Sequence, residues 1–114
     1  MTFKLTYYKS AERPDIQLWL TDDDGNLIDF SVGYTFVFKI GYLGETALVT
    51  KTTGITGAAG SGNDKTGVPN LTIVIASPEL DTIPASLYTG QVKATTSSLD
   101  RFYQFGLEIR DVVL

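Results

Sequence analysis

The sequence contains no cysteine and no histidine. The first absence excludes disulfides and thiolate metal sites, so stability must come from a packed core. The second removes the usual general base near neutral pH and the commonest metal ligand. Without histidine, a Ser-His-Asp arrangement is excluded. Long apolar runs are also missing, and none approaches the ~20 residues that span a bilayer. The opening segment Met1–Ser10 lacks the apolar core of a signal peptide, which predicts a chain made and used without secretion. Positive charge is sparse: 9 Lys and Arg, scattered from Lys4 to Arg110, face 13 Asp and Glu, for a net charge of −4. No basic patch forms along the chain, so neither nucleic acid nor an anionic membrane is an expected partner.

What is present suits one globular domain over residues 1–114. The chain has 114 residues, 43% hydrophobic and 19% charged, which is enough apolar material to bury a core without staples. The dominant pattern is period-2 alternation, the mark of half-buried strands. Ile16, Leu18 and Leu20 fall on one face; so do Phe36, Phe38 and Ile40, and Leu71, Ile73 and Ile75. Fully burying one such side chain contributes roughly 1.5–3 kcal/mol, so these residues are the expected anchors of the fold. Weaker strands are expected over Phe3–Tyr8, Ala47–Thr52, Leu87–Ala94 and Arg101–Ile109, the last with Tyr103, Phe105, Leu107 and Ile109 inward. Gly90 and Gly106 lie within these strands and signal a bulge or a close backbone approach.

Turns punctuate the strands. Asp22–Asn26 has hairpin-turn composition, and Gly41–Glu45 is a second turn. Ser77–Pro84 is the one expected helix: Ser77 caps it, Pro78 suits its first position, Glu79 favours its positive end and Pro84 stops it. Gly54–Pro69 is rich in Gly and small residues and reads as a long hairpin loop without structure of its own. The expected architecture is all-β, an immunoglobulin-like β-sandwich of about seven to eight strands with one short helical crossover.

Two site-like motifs fail on spacing, and the paired carboxylates lack a cleft. Gly57 and Gly62 have phosphate-loop separation, but Asn63 and Asp64 intervene before Lys65-Thr66, and a strand follows where a helix is needed. Asp22, Asp24 and Asn26 match the start of a calcium loop, but Leu27 and Gly33 stand where Gly and Glu are required. The carboxylates lie mostly in turns or beside basic residues, as in Glu12-Arg13 and Asp100-Arg101, which fits solvated surface charge. No catalytic residue, cofactor or metal is therefore expected, and the chain is not expected to be an enzyme. Expected instead are partner contacts. Trp19 alternates with the Ile16/Leu18/Leu20 face and is expected to point away from the core; with outward tyrosines such as Tyr42 it reads either as a protein or carbohydrate contact or as cover of a second sheet face. The first strand, with Phe3, Leu5 and Tyr7, is placed to pair with a neighbouring subunit by β-augmentation. The Gly-rich loop, with Asn63 and Lys65, is the other place for a partner.

The order of these elements resembles a known family. Pro14-Asp-Ile-Gln-Leu-Trp-Leu-Thr-Asp-Asp-Asp-Gly-Asn-Leu-Ile-Asp-Phe-Ser31 is similar to the opening of immunoglobulin-like virion domains of tailed bacteriophages, in particular the N-terminal domain family of the phage baseplate upper protein. An alternating strand (Tyr34–Lys39), a further strand (Leu48–Lys51), Gly54-Ile55, the strand Leu71–Ala76, the Ser77–Pro84 crossover and Leu87–Val92 continue the likeness. It covers roughly Pro14 to Leu107 and consists of strand-and-turn grammar. It implies a structural virion protein, in the tail or baseplate or as a capsid accessory. Its partners would be other virion proteins, met as a homo-oligomer or on a multivalent lattice where many weak contacts add. The alternative is a free carbohydrate- or cell-surface-binding module that uses Trp19 and neighbouring tyrosines.

Overall fold

The computed structural model describes residues 3–9, 14–63, 66–76, 79–97 and 99–111. They form eight strands: β1 (Lys4–Lys9), β2 (Ile16–Leu18), β3 (Thr35–Gly41), β4 (Val49–Lys51), β5 (Ile55–Gly57), β6 (Leu71–Ile73), β7 (Ser86–Thr96) and β8 (Leu99–Asp111). One sheet has the order β1-β8-β7-β3-β4 and the other β2-β6-β5. All pairings are antiparallel except β1 with β8, which run parallel from Lys4↔Gly106 to Lys9↔Asp111.

The alternating side chains explain why the two sheets share one core. Ile16, Leu18, Leu20, Leu71, Ile73 and Ile75 are buried from one sheet, and Phe38, Ile40, Phe105, Leu107 and Ile109 from the other. Phe36 and Tyr103 are partly buried and pack against this core. Every expected inward set thus faces inward, because the period of a strand assigns faces locally. Val92 and Ala94 from β7, and Leu80 and Ile83 from the segment before it, complete the core.

Gly90 shows a close approach of a ring. The β7–β8 register runs unbroken from Ser86↔Ile109 to Thr96↔Leu99, so Gly90 lies in no bulge. It stands opposite Phe105, and a Cβ there would meet two ring carbons of Phe105 at 2.7 Å. The bare glycine lets the Phe105 ring lie flat across the strand, stacked between Phe3 (5.0 Å, 4°) and Phe38 (6.3 Å, 7°). Gly106 has no such role: a Cβ there would make only ordinary contact, 3.7 Å from Lys4.

Two expectations are corrected. The helical crossover is absent: there is no helix among the described residues, and Glu79–Thr82 forms hydrogen-bonded turns instead. Ser77 and Pro78 lie outside the described residues. The reason is tertiary. Glu79 turns its carboxylate back to the Ala76 N–H (2.6 Å) and onto Lys51 Nζ (2.7 Å), while Leu80 and Ile83 are pulled into the core. Tyr88 then fixes the exit by donating its hydroxyl to the Pro84 carbonyl at 2.5 Å. The second correction concerns Gly54–Pro69. Its first residues form β5, which pairs with β6 from Ile55↔Ile73 to Gly57↔Leu71. The hairpin continues outward through Ala58 N–H to Asn70 O and Ser61 N–H to Val68 O. Small residues permit this close pairing, and their poverty of apolar groups conceals the strand.

Candidate functional site

Each sheet ends in open strands on the same side of the molecule, β1 in one and β2 in the other. Between them runs a mainly apolar groove of ≈ 550 Å³. Phe3 and Leu5 form one wall, Leu18 and Trp19 the other, with Leu27 and Asn63 among the remaining lining residues. Period-2 alternation explains the β1 wall: Leu5 and Tyr7 alternate with exposed Lys4, Thr6 and Tyr8.

The opposite wall depends on a buried asparagine. Asn70 is fully buried. Its Oδ1 accepts from Leu20 N–H (2.8 Å), and its Nδ2 donates to Leu20 O (2.7 Å) and Ile28 O (2.9 Å). Its backbone N–H donates to Leu18 O, and its carbonyl accepts from Ala58 N–H. One residue therefore ties β2, the Asp22–Asn26 turn and the β5–β6 hairpin together. Such full satisfaction is what makes a buried amide tolerable. Gly60 makes room for it: a Cβ at Gly60 would approach the Asn70 Cβ to 2.8 Å. Trp19 is half-buried and donates its indole N–H to Ser61 O at 3.2 Å, which fixes the ring against the hairpin.

The acidic turn serves itself. Asp22 Oδ1 accepts from the N–H groups of Asp24 (2.9 Å) and Asn26 (3.0 Å). Asp29 does the same for Ser31, and the Ser31 hydroxyl, with its N–H, holds the Asp29 carboxyl below its ordinary range. Among the described residues, no group of three or more acidic side chains converges as a metal-ligand set.

Charge is ordered along the outer face of β1. Lys4 Nζ reaches Glu108 at 3.2 Å, Arg110 reaches the same carboxylate at 3.0 Å, and the Thr6 hydroxyl donates to it at 3.3 Å. The hydrogen bond from Arg110, then that from Lys4, lowers the Glu108 carboxyl pKa. Lys9 is drawn back across the strand end, donating to Ile83 O at 2.8 Å and lying 3.5 Å from Asp111.

Four of the expected contact residues, Phe3, Leu5, Trp19 and Asn63, therefore line one groove. Tyr7 is buried in the core, 5% exposed, and presents no contact surface. Tyr42 stands apart, after β3, where it is exposed and packs on Tyr88 with centroids 5.1 Å apart. Lys65 lies outside the described residues. The sequence reading missed Asn70. Its only signal was an amide directly before an alternating strand, and nothing local distinguishes such a residue from a loop asparagine.

The arrangement offers apolar walls, a fixed indole and an open strand edge, which suits binding an extended backbone. Comparison with family models, with curated proteins and with solved structures finds no match to this chain.

Proposed function

We propose that this chain is an immunoglobulin-like β-sandwich module that works by protein–protein contact as a structural component of a tailed-phage particle. The observation that carries the contact reading is the groove between the open edges of β1 and β2, where Phe3, Leu5, Trp19 and Asn63 meet. The immunoglobulin-like reading is supported by the strand order, with three strands β2-β6-β5 facing a sheet centred on β8-β7-β3. Tyr88 supports it further. It sits near the start of β7 and hydrogen-bonds the backbone carbonyl of Pro84, four residues upstream, in the manner of a tyrosine corner. Two residues on, where antibody domains carry a cysteine, stands Gly90 beneath Phe105. The virion placement rests on the sequence resemblance.

Mass spectrometry of purified particles from the source of this sequence tests the placement. Stoichiometric presence supports it, and absence from intact particles overturns it. A second reading, a free carbohydrate- or cell-surface-binding module, is favoured by the indole of Trp19 in the groove wall. Glycan-array binding by the purified chain that Trp19→Ala abolishes would support that reading.

A further inference from the structure

The four outermost strands of the two sheets are unequal. β2, β4 and β5 have 3 residues each, whereas β1 has 6. Short edges are a common protection against unwanted pairing, and β1 lacks it. The register shows which backbone groups β1 leaves open among the described residues. Gly106 N–H donates to Phe3 O, and Lys4 pairs with Gly106 in a parallel ladder. In such a ladder the residues flanking the paired position make the bonds, so the odd-numbered residues of β1 face β8. Lys4, Thr6 and Tyr8 therefore point their N–H and C=O groups away from the sheet, and their side chains are exposed.

We propose that the free edge of β1 pairs antiparallel with the same edge of a second copy, about a two-fold axis at Thr6. This deepens the assembly reading above and rests on it. In this register Thr6 meets Thr6 of the second copy, and Lys4 meets Tyr8 of the second copy. Each is a hydrogen-bonded pair, because these are the residues whose backbone groups are open. The register is self-complementary, as an isologous contact requires. It also sets no like charges opposite one another. The ammonium of Lys4 lies beside the exposed ring of Tyr8 of the second copy, a cation–π pairing. Lysines on an edge usually discourage pairing. Here Lys4 does not face a lysine, and Lys9 is held back by Ile83 O and Asp111. β-branched Thr6 suits the central cross-strand pair. On the inner face, Leu5 of each copy continues the apolar row that begins at Phe3, so the grooves of both copies open toward the joint.

Sedimentation of the intact chain across the micromolar range tests this. Wild type forms a dimer that dissociates on dilution. Thr6→Pro removes a donor that points away from β8, so the β1–β8 pairing survives and thermal unfolding stays close to wild type, while the dimer weakens at least about tenfold. Thr6→Cys supplies the chain's only thiol, and oxidation links two copies because the α-carbons of such a pair lie about 5.5 Å apart. Tyr42→Cys, far from the edge, stays unlinked under the same conditions. A wild type that is monomeric throughout overturns the proposal, as does a dimer indifferent to Thr6→Pro or a Thr6→Cys chain that does not cross-link. A monomer that is nonetheless found in particles overturns the pairing and leaves the assembly reading standing.

Discussion

The two sheets are held together by different means. In the larger sheet, β7 and β8 pair over eleven successive positions, from Ser86↔Ile109 to Thr96↔Leu99. Hydrogen-bonded pairs recur at every second position, and side chains fill in above and below. In the smaller sheet, β2, β5 and β6 have 3 residues each, too few for a ladder to hold by itself. There a single side chain, Asn70, takes over the work of missing strand partners by bonding Leu20 and Ile28. Regular pairing distributes stability over many residues, whereas a polar clamp concentrates it in one.

That difference predicts an order of mutational effects. Asn70→Ala has the largest. It strands buried groups of Leu20 and Ile28 and costs about 3–5 kcal/mol, read by urea unfolding. Hydrogen exchange would show β2, β5 and β6 losing protection before β7 and β8; uniform loss across both sheets would break the contrast. Gly90→Ala acts on the regular ladder. The added methyl collides with the Phe105 ring and costs about 1–3 kcal/mol, and a smaller side chain in Phe105→Leu recovers part of that loss in the double variant. Equal losses with and without Phe105 would show that the ring is not the cause.

Smaller effects sharpen the comparison at the crossover into β7. Tyr88→Phe removes the hydrogen bond to Pro84 O and costs about 1 kcal/mol in the same unfolding assay. Glu79 gives a pH dependence. Partial burial acts to raise its carboxyl pKa, but the Lys51 hydrogen bond and the Ala76 N–H together outweigh burial and leave the pKa lowered. A lowered folded pKa means that the unfolded chain binds the proton more readily. The contribution of Glu79 is therefore complete above the ordinary carboxylate range and fades as pH falls through its depressed value. In Glu79→Gln, stability changes less steeply with pH below about 4.5, the unshifted reference. An unchanged slope would remove Glu79 from the acid response.

The sequence made the inward faces legible. Ile16, Leu18 and Leu20 alternate within one strand and its continuation, and the direction of each side chain follows from its neighbours alone. The Asp22–Asn26 turn was legible for the same reason, because Asp22 caps amides only two and four residues away. The segment Ser77–Pro84 was misread because its helix signals are local, whereas Lys51, which draws Glu79 aside, comes from β4. The groove was legible in part. Phe3, Leu5, Trp19 and Asn63 were singled out separately, but no local signal joined them or separated them from Tyr7 and Tyr42.

By itself, then, the sequence determined that the chain alternates, where it turns and which side chains seek the core. Those properties have ranges of a few residues. Only the tertiary structure decided that β1 runs parallel to β8, that Asn70 is buried rather than solvated, and that two open edges enclose a groove. Each of these depends on residues far apart in the chain meeting in space, and period-2 alternation says which way a strand faces but not beside which strand it lies.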